Sequence, residues 1–370
     1  MKINDTIIKN TIYKELWWNI EVFSNEMKKL DQLVGCKYPM IDSHIHIVDF
    51  NQKTVWLKKL LQYMDKANIL AWVVFWLSVV KIWQENEKQK PWYYLDDDNP
   101  CYYYSNTDSI VAKEYLSLSE QERKRFFPLI CGFNPMDINS VDHIIHTYKT
   151  FPGVFYGIGE IFYRHDDLTH MTYGDVPRMN TLATKKLFEF ITKYDLPLCI
   201  HNNITAPWVS DYPKFLHEME SIIREFPKAR VILAHCWASR RLRAPYYTKM
   251  ISRLLREYPW LYVDFSWVVF DEIISVSESS MHNWAEMTEN FSDRIMIGSD
   301  VLWDAFEQIG VINARYNDFL DILTPETRQK VCVDNAISIY SHSKNKVEKN
   351  KARIYPTLEY LNNSISSEEV

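Results

Sequence analysis

The sequence predicts an α/β protein. Its fold class is a single (β/α)8 TIM barrel with an N-terminal helical extension and an insertion after the second strand. Three observations predict this. Eight short apolar runs alternate with amphipathic, helix-like segments. Those runs are continuously apolar rather than alternating, the pattern of parallel strands buried on both faces. Five of them end in a metal-binding residue type, in chain order His46, Glu160, His201, His235 and Asp300. A barrel builds its site at the C-terminal ends of its strands. The length of 370 residues suits one large barrel or two ordinary domains, so the eight repeated units make the choice.

Residues 1–39 read as the helical extension, because Leu16, Trp17, Ile20, Phe23 and Met27 recur at helical spacing. The barrel follows over 40–343. Its predicted strands lie at about 40–47, 69–78, 126–133, 154–161, 197–201, 230–235, 260–266 and 294–299. Helix-like runs between them include Thr181–Tyr194, Pro213–Phe226, Thr248–Tyr258 and Met281–Asn290. The predicted insertion, at about 81–122, holds Trp92-Tyr93-Tyr94 and Tyr102-Tyr103-Tyr104. Following a strand, it would lie on the active-site face and could roof the pocket. The other readings are a packed surface cap or a contact within a homo-oligomer. The segment 344–370 is a polar, Lys/Glu-rich C-terminal tail whose composition predicts partial disorder.

The formal net charge of −6 comes from mixed acids and bases, with no basic stripe that would favour nucleic acid. Only 8 glycines are present, too few to suggest a phosphate-cradling loop. The six cysteines form no Cys-x-x-Cys pair, which suits a reducing compartment. The N-terminus lacks a signal-type apolar core, and the longest apolar run, Ile69 to Val80, falls short of the roughly 20 residues a membrane span needs. A soluble, cytoplasmic protein acting on a small molecule, with no membrane partner, is the expectation.

His44 and His46 stand two apart on a predicted strand, so both imidazoles point to one face, as a pincer for a metal. His201 and His235 each follow an apolar run, where a single histidine is more often a hydrogen-bonded core residue. Two in register with the pincer point to a site. His201 reads as a ligand, and His235 as a second-metal ligand or a substrate-polarising acid. Asp300 reads as a ligand that also accepts and returns a proton. Its alternative role is a helix N-cap. Glu160 would bridge two metals or act as an outer acceptor for a ligand histidine. The donor types favour a divalent metal, most simply zinc, as one or two ions. For the substrate pocket, Arg240, Arg241 and Arg243 could pair an anionic group. Arg164 and His165 are further candidates, and Trp208, Trp237, Trp267 and Trp303 would form an aromatic wall. The remaining histidines read as solvent-facing or capping.

Taken together, His-x-His, Glu, His, His and Asp on strands 1, 4, 5, 6 and 8 resemble the amidohydrolase superfamily. The likeness is nearest to the amidohydrolase-related branch that includes aminocarboxymuconate-semialdehyde decarboxylase and several lactonases. Met40-Ile41-Asp42-Ser43-His44-Ile45-His46, Leu261-Tyr262-Val263-Asp264-Phe265-Ser266 and Ile297-Gly298-Ser299-Asp300 carry the resemblance, with Val333–Tyr340 similar to its closing Asn-Ala helix. The resemblance implies that His44, His46, His201 and Asp300 bind a metal. Gly159-Glu160-Ile161 is also similar to TatD-like enzymes, in which a Glu bridges two metals. That tilts the expected chemistry towards metal-dependent hydrolysis of a lactone, amide, ester or phosphoester bond in a small, anionic substrate. The alternative is a metal-dependent decarboxylase.

Overall fold

In chain order the strands are β1 (Met40–His46), β2 (Ile69–Phe75), a hairpin of β3 (Val79–Lys81) and β4 (Cys101–Tyr103), β5 (Phe126–Pro128), β6 (Ile158–Phe162), β7 (Leu198–His201), β8 (Val231–Leu233), β9 (Leu261–Phe265) and β10 (Ile295–Ile297). They are seen in a computed structural model that describes residues 37–50, 54–90, 99–104, 106–165, 168–169, 172, 174, 176–206, 212–237, 242, 246–302 and 305–340. The helical extension and the polar tail lie outside the described residues.

β1, β2 and β5 form one parallel sheet and β6 to β10 another. Backbone hydrogen bonds join the two sheets at both edges. On one side the Ile130 N–H donates to the Gly157 carbonyl at 3.0 Å, and the Gly159 N–H to the Ile130 carbonyl at 2.8 Å. On the other the His46 N–H donates to the Val301 carbonyl at 3.0 Å, and the Asp300 N–H to the His44 carbonyl at 2.8 Å. The eight barrel strands thus close into a ring. The predicted strands are all present, and several pair over shorter stretches. The regular part of the third is Phe126–Pro128, and its backbone goes on bonding past Pro128, where the Leu129 N–H donates to the Val74 carbonyl at 3.0 Å.

The barrel helices form where the sequence supplies caps and an apolar stripe. The helix Leu182–Tyr194 starts at Thr181, whose side chain accepts from the Thr184 N–H, and ends at Asp195 in a left-handed conformation. The helix buries Ala183, Leu187, Phe188 and Ile191 against the barrel. Each fully buried large apolar side chain contributes about 1.5–3 kcal/mol. Past β10, the Asn335 amide donates to the carbonyls of Ser292 and Ile295, both at 2.7 Å, and pins the start of that strand.

The predicted insertion is too long. The helix Thr107–Ser117 serves the second β/α unit, and its Asp108 carboxylate accepts the N–H groups of Cys131 and Gly132 beyond β5. Only the hairpin segment before it is extra. Trp92, Tyr93 and Tyr94 lie outside the described residues. Five cysteines, Cys101, Cys131, Cys199, Cys236 and Cys332, are buried. No described helix is long and apolar enough to cross a membrane.

β6 carries the tightest packing constraint. Gly159 has φ +132°, and a Cβ there would lie 2.6 Å from the Cys199 Cβ on β7. Gly159→Ala therefore combines backbone strain with overpacking, expected to cost roughly 1–3 kcal/mol. Denaturant melts would show the loss, and an unchanged midpoint would mean that β6 and β7 can separate freely.

Candidate metal centre

Four imidazoles and two carboxylates meet over the C-terminal mouth of the barrel. Glu160 is central. Its Oε2 lies 3.1 Å from His46 Nε2 and 3.4 Å from His44 Nε2, and its Oε1 lies 3.3 Å from both His201 Nδ1 and His235 Nε2. Asp300 closes the ring, with Oδ1 at 3.2 Å from His46 Nε2 and 3.5 Å from His44 Nε2. The strand geometry places each group. His44 and His46 share a face of β1, while β6 and β7 deliver Glu160 and His201 from neighbouring positions. His235 and Asp300 sit just past β8 and β10 with positive φ, +55° and +57°. Non-glycine residues persist in that region only where their surroundings over-determine it, as at functional sites. Gly298 makes room for the pincer, because a Cβ there would approach the His44 nitrogen to 2.7 Å.

An outer layer holds these side chains. Asp264, fully buried on β9, has Oδ2 at 3.1 Å from His44 Nδ1, and its Oδ1 accepts the His235 backbone N–H at 3.0 Å. Ser266 Oγ lies 2.6 Å from His235 Nδ1. Asn203 Oδ1 lies 3.0 Å from His201 Nε2. Asp42 accepts from the backbone of His44 and Ser299 and from the Asn313 amide, tying β1 to the end of β10. Burial pushes the Asp42 carboxyl up to about 6.

The donor set fits a divalent cation. His44 Nε2 and both Glu160 oxygens are buried and lack a hydrogen-bond partner, although they face one another. Groups of three among His44, His46, Glu160, His235 and Asp300 lie close enough to share an ion. Buried polar groups left in that state are costly unless something binds them. Burial opposes charge on Glu160, yet the surrounding histidines hold its carboxyl well below the usual range. Burial likewise disfavours a proton on His44, but Glu160 and Asp264 hold its pKa well above the ordinary value. A cation must therefore displace a His44 proton, and that competition weakens as pH rises. Zinc affinity is expected to climb by about tenfold per pH unit for each proton displaced. Zinc titrations at pH 6, 7 and 8 check this, and a flat profile would mean that no protonated group is displaced.

The centre opens into a cleft lined by His46, Glu160, His201, His235 and Asp300 and by the mostly apolar Phe50, Leu77, Phe162, His165, Trp267 and Leu302. The extra hairpin lies beside it. Val79 and Cys101 pack with Phe50, Leu77, Phe162 and Leu168, and the Tyr103 hydroxyl donates to the Phe162 carbonyl at 2.9 Å.

The structure brings together His44, His46, Glu160, His201, His235 and Asp300, and departs from several other expectations. Arg164 does not reach the cleft. Its guanidinium forms a bidentate pair with Glu218 at 2.8 and 3.1 Å and stacks over Phe215, so its fork is already used. Trp237 is in the hydrophobic core rather than the cleft wall, a place Trp267 takes. His165, a pocket candidate from the sequence, does line the cleft, buried with its ring stacked on His201 at 4.4 Å. Arg240, Arg241, Arg243, Trp208 and Trp303 lie outside the described residues. Asp264, Ser266 and Asn203 were not singled out from the sequence for a role in the site. The available signal was a carboxylate inside an apolar run, which demands partners.

Comparisons with known proteins come to the same place. Residues 163–341 match the sequence profile of the family described as amidohydrolase. No curated protein matches the sequence. Among solved structures, a probable 2-pyrone-4,6-dicarboxylic acid hydrolase from Acinetobacter baumannii, with citric acid bound, is 12% identical. The match covers 82% of this chain and 100% of that one, with a TM-score of 0.52. An amidohydrolase from Burkholderia multivorans with bound zinc is 12% identical over 82% and 99% of the two chains, with a TM-score of 0.51. An uncharacterised TIM-barrel protein from Bordetella bronchiseptica is 9% identical over 82% and 99%, also with a TM-score of 0.51. At these identities the likeness is one of fold, and all three share the barrel.

Proposed function

We propose that the chain, whose residues 163–341 match the amidohydrolase profile, is a metal-dependent hydrolase of a small carbonyl or phosphoester substrate. One observation carries the reading. Glu160 lies at the centre of the cluster, with an oxygen turned to each histidine pair: Oε2 to His44 and His46, Oε1 to His201 and His235. A carboxylate so placed suits a bridge between two cations, an arrangement typical of hydrolytic sites. The zinc in the Burkholderia multivorans protein supports a metal at the level of the fold.

His44, His46, His201, His235, Glu160 and Asp300 would hold the cation or cations. A divalent metal there supplies Lewis acidity to a bound carbonyl or phosphoryl oxygen and lowers the pKa of water. The chain's own residues do the rest. Asp300 turns Oδ1 to the pincer and Oδ2 towards His235, at 3.8 Å. Its carboxyl is held ionised by His235, His46 and His44 against the effect of burial, so it is ready to accept a proton from attacking water and return it to the leaving group. Phe162, Trp267 and the residues packed under the hairpin exclude bulk water and seat the rest of the substrate. An anionic group on that substrate would call on Arg240 or Arg241, since Arg164 is held by Glu218.

The test is a panel of lactones, esters, amides and phosphoesters offered to zinc- and manganese-loaded protein in water enriched in ¹⁸O. Metal-dependent turnover with label in the product supports the reading. Release of carbon dioxide from aromatic acids, with no hydrolysis anywhere in the panel, would replace it with the lyase.

A further inference from the structure

We propose that Arg315 is a positioning residue: it fixes the turn after β10 so that the Asp300 carboxylate stays aimed at His44 and His46. Two successive peptides lead from β10 to Asp300, and every polar atom of both is engaged. In the first, the Gly298 carbonyl faces the Tyr316 hydroxyl at 2.6 Å, and the Ser299 N–H donates to Asp42 Oδ1 at 2.8 Å. In the second, Arg315 Nη2 donates to the Ser299 carbonyl at 3.1 Å, and the Asp300 N–H donates to the His44 carbonyl at 2.8 Å. The N–H side is held by β1. The carbonyl side is held by Arg315 and Tyr316, at the joint between the helices Ile309–Ala314 and Asn317–Ile322. The donor at the Ser299 carbonyl is unambiguous, since a guanidinium only donates and a carbonyl only accepts.

The guanidinium is itself aimed. Its Nη1 pairs with Asp271 Oδ2 at 3.0 Å, just past β9, and both side chains are buried. Its Nη2 also donates to the Tyr316 hydroxyl at 3.1 Å. In such a pair the desolvation of two charges roughly cancels their attraction, so the pair is weak evidence of a stability device. What a planar fork supplies is direction. Asp300 needs it, because its φ of +57° lies where a non-glycine residue stays only under constraint. Relaxing that φ rotates the Cα–Cβ bond against the peptide that Arg315 holds. The carboxylate would then turn away from His46 Nε2, now 3.2 Å from Oδ1.

The test pairs crystals of metal-free, full-length protein with zinc titrations, and only the titrations rest on the metal reading. Arg315→Met with Asp271→Leu takes both charges away together, since removing one would leave the other buried and uncompensated. There Asp300 is expected to lose its left-handed φ, its carboxylate to leave hydrogen-bond distance of His46, and zinc binding to weaken by about 10–100-fold. Asp271→Asn leaves the guanidinium on the Ser299 carbonyl. It is expected to keep Asp300 in place and zinc affinity near wild type, even where its melting temperature falls as far. That contrast separates aiming Asp300 from holding up the fold. A folded double variant with Asp300 unmoved overturns the proposal, and so does an equal displacement of Asp300 in Asp271→Asn. If the double variant does not fold, Arg315→Lys decides, because an ammonium keeps the charge beside Asp271 but lacks the second arm of the fork. A displaced Asp300 in that crystal upholds the proposal, and an unmoved one overturns it. A displaced Asp300 with unchanged zinc affinity upholds the positioning role and removes Asp300 from the metal ligands.

Discussion

An Asp300→Asn protein is expected to keep its barrel and most of its metal while turnover falls by about 10²–10⁴-fold, the usual cost of losing a positioned general base. The amide matches the carboxylate in size and can still touch a cation weakly, but it cannot accept a proton. The backbone gives no reason for collapse. The Asp300 N–H bond to the His44 carbonyl at 2.8 Å survives the change, and asparagine tolerates a φ of +57° as well as aspartate does. The loss should appear in kcat, because the side chain reaches the reacting water rather than the body of the substrate. His235→Asn provides the contrast. As a ligand, its loss lowers metal content. As a proton acceptor alone, its loss lowers rate at full metal content. Metal stoichiometry and steady-state kinetics on both variants, with the substrate found by the panel, give the answer. Near-native turnover in Asp300→Asn would place the base elsewhere, with Glu160 or His165 next.

The second large effect is on metal itself. Replacing His44 and His46 together by alanine is expected to reduce bound zinc to background, because the pincer offers Nε2 of both rings to Glu160 and Asp300 within 3.5 Å. Apolar packing complicates the experiment. Both rings contact Phe75, at 4.5 and 5.5 Å between centroids, and truncating buried side chains leaves cavities that destabilise the fold. The milder His44→Asn with His46→Asn keeps more volume and should also lose the metal. Elemental analysis of each purified variant, alongside a circular dichroism melt, separates loss of metal from loss of fold. Unchanged zinc in a folded double variant would refute the role of β1.

The strands were legible because burial on both faces leaves no choice but continuous apolar runs, and the candidate ligands were legible because they stand where those runs stop. Glu160 was ambiguous for a physical reason. At the end of a strand, a bridging carboxylate and an outer acceptor have the same sequence, and only the converging histidines tell them apart. Arg164 was misjudged because nearness in sequence to Glu160 says nothing about direction past the strand end. There the guanidinium meets Glu218, 54 residues further on. Trp237 was misjudged because the left-handed turn at His235, Cys236 and Trp237 cannot be read from residue types, and the indole ends in the core. Asp264 was within a quoted strand, but its two histidine partners come from β1 and from the turn after β8. Only the closed barrel brings those together.

On the proposed reading, the groups around Glu160 form a metal centre. A crystal of the zinc-loaded full-length protein, with data collected on both sides of the zinc absorption edge, tests it most directly. Anomalous density is expected among His44, His46, Glu160 and Asp300, with a second peak beside His201 and His235 if Glu160 bridges. Ordered, fully loaded crystals whose only anomalous peaks lie away from Glu160 would contradict it.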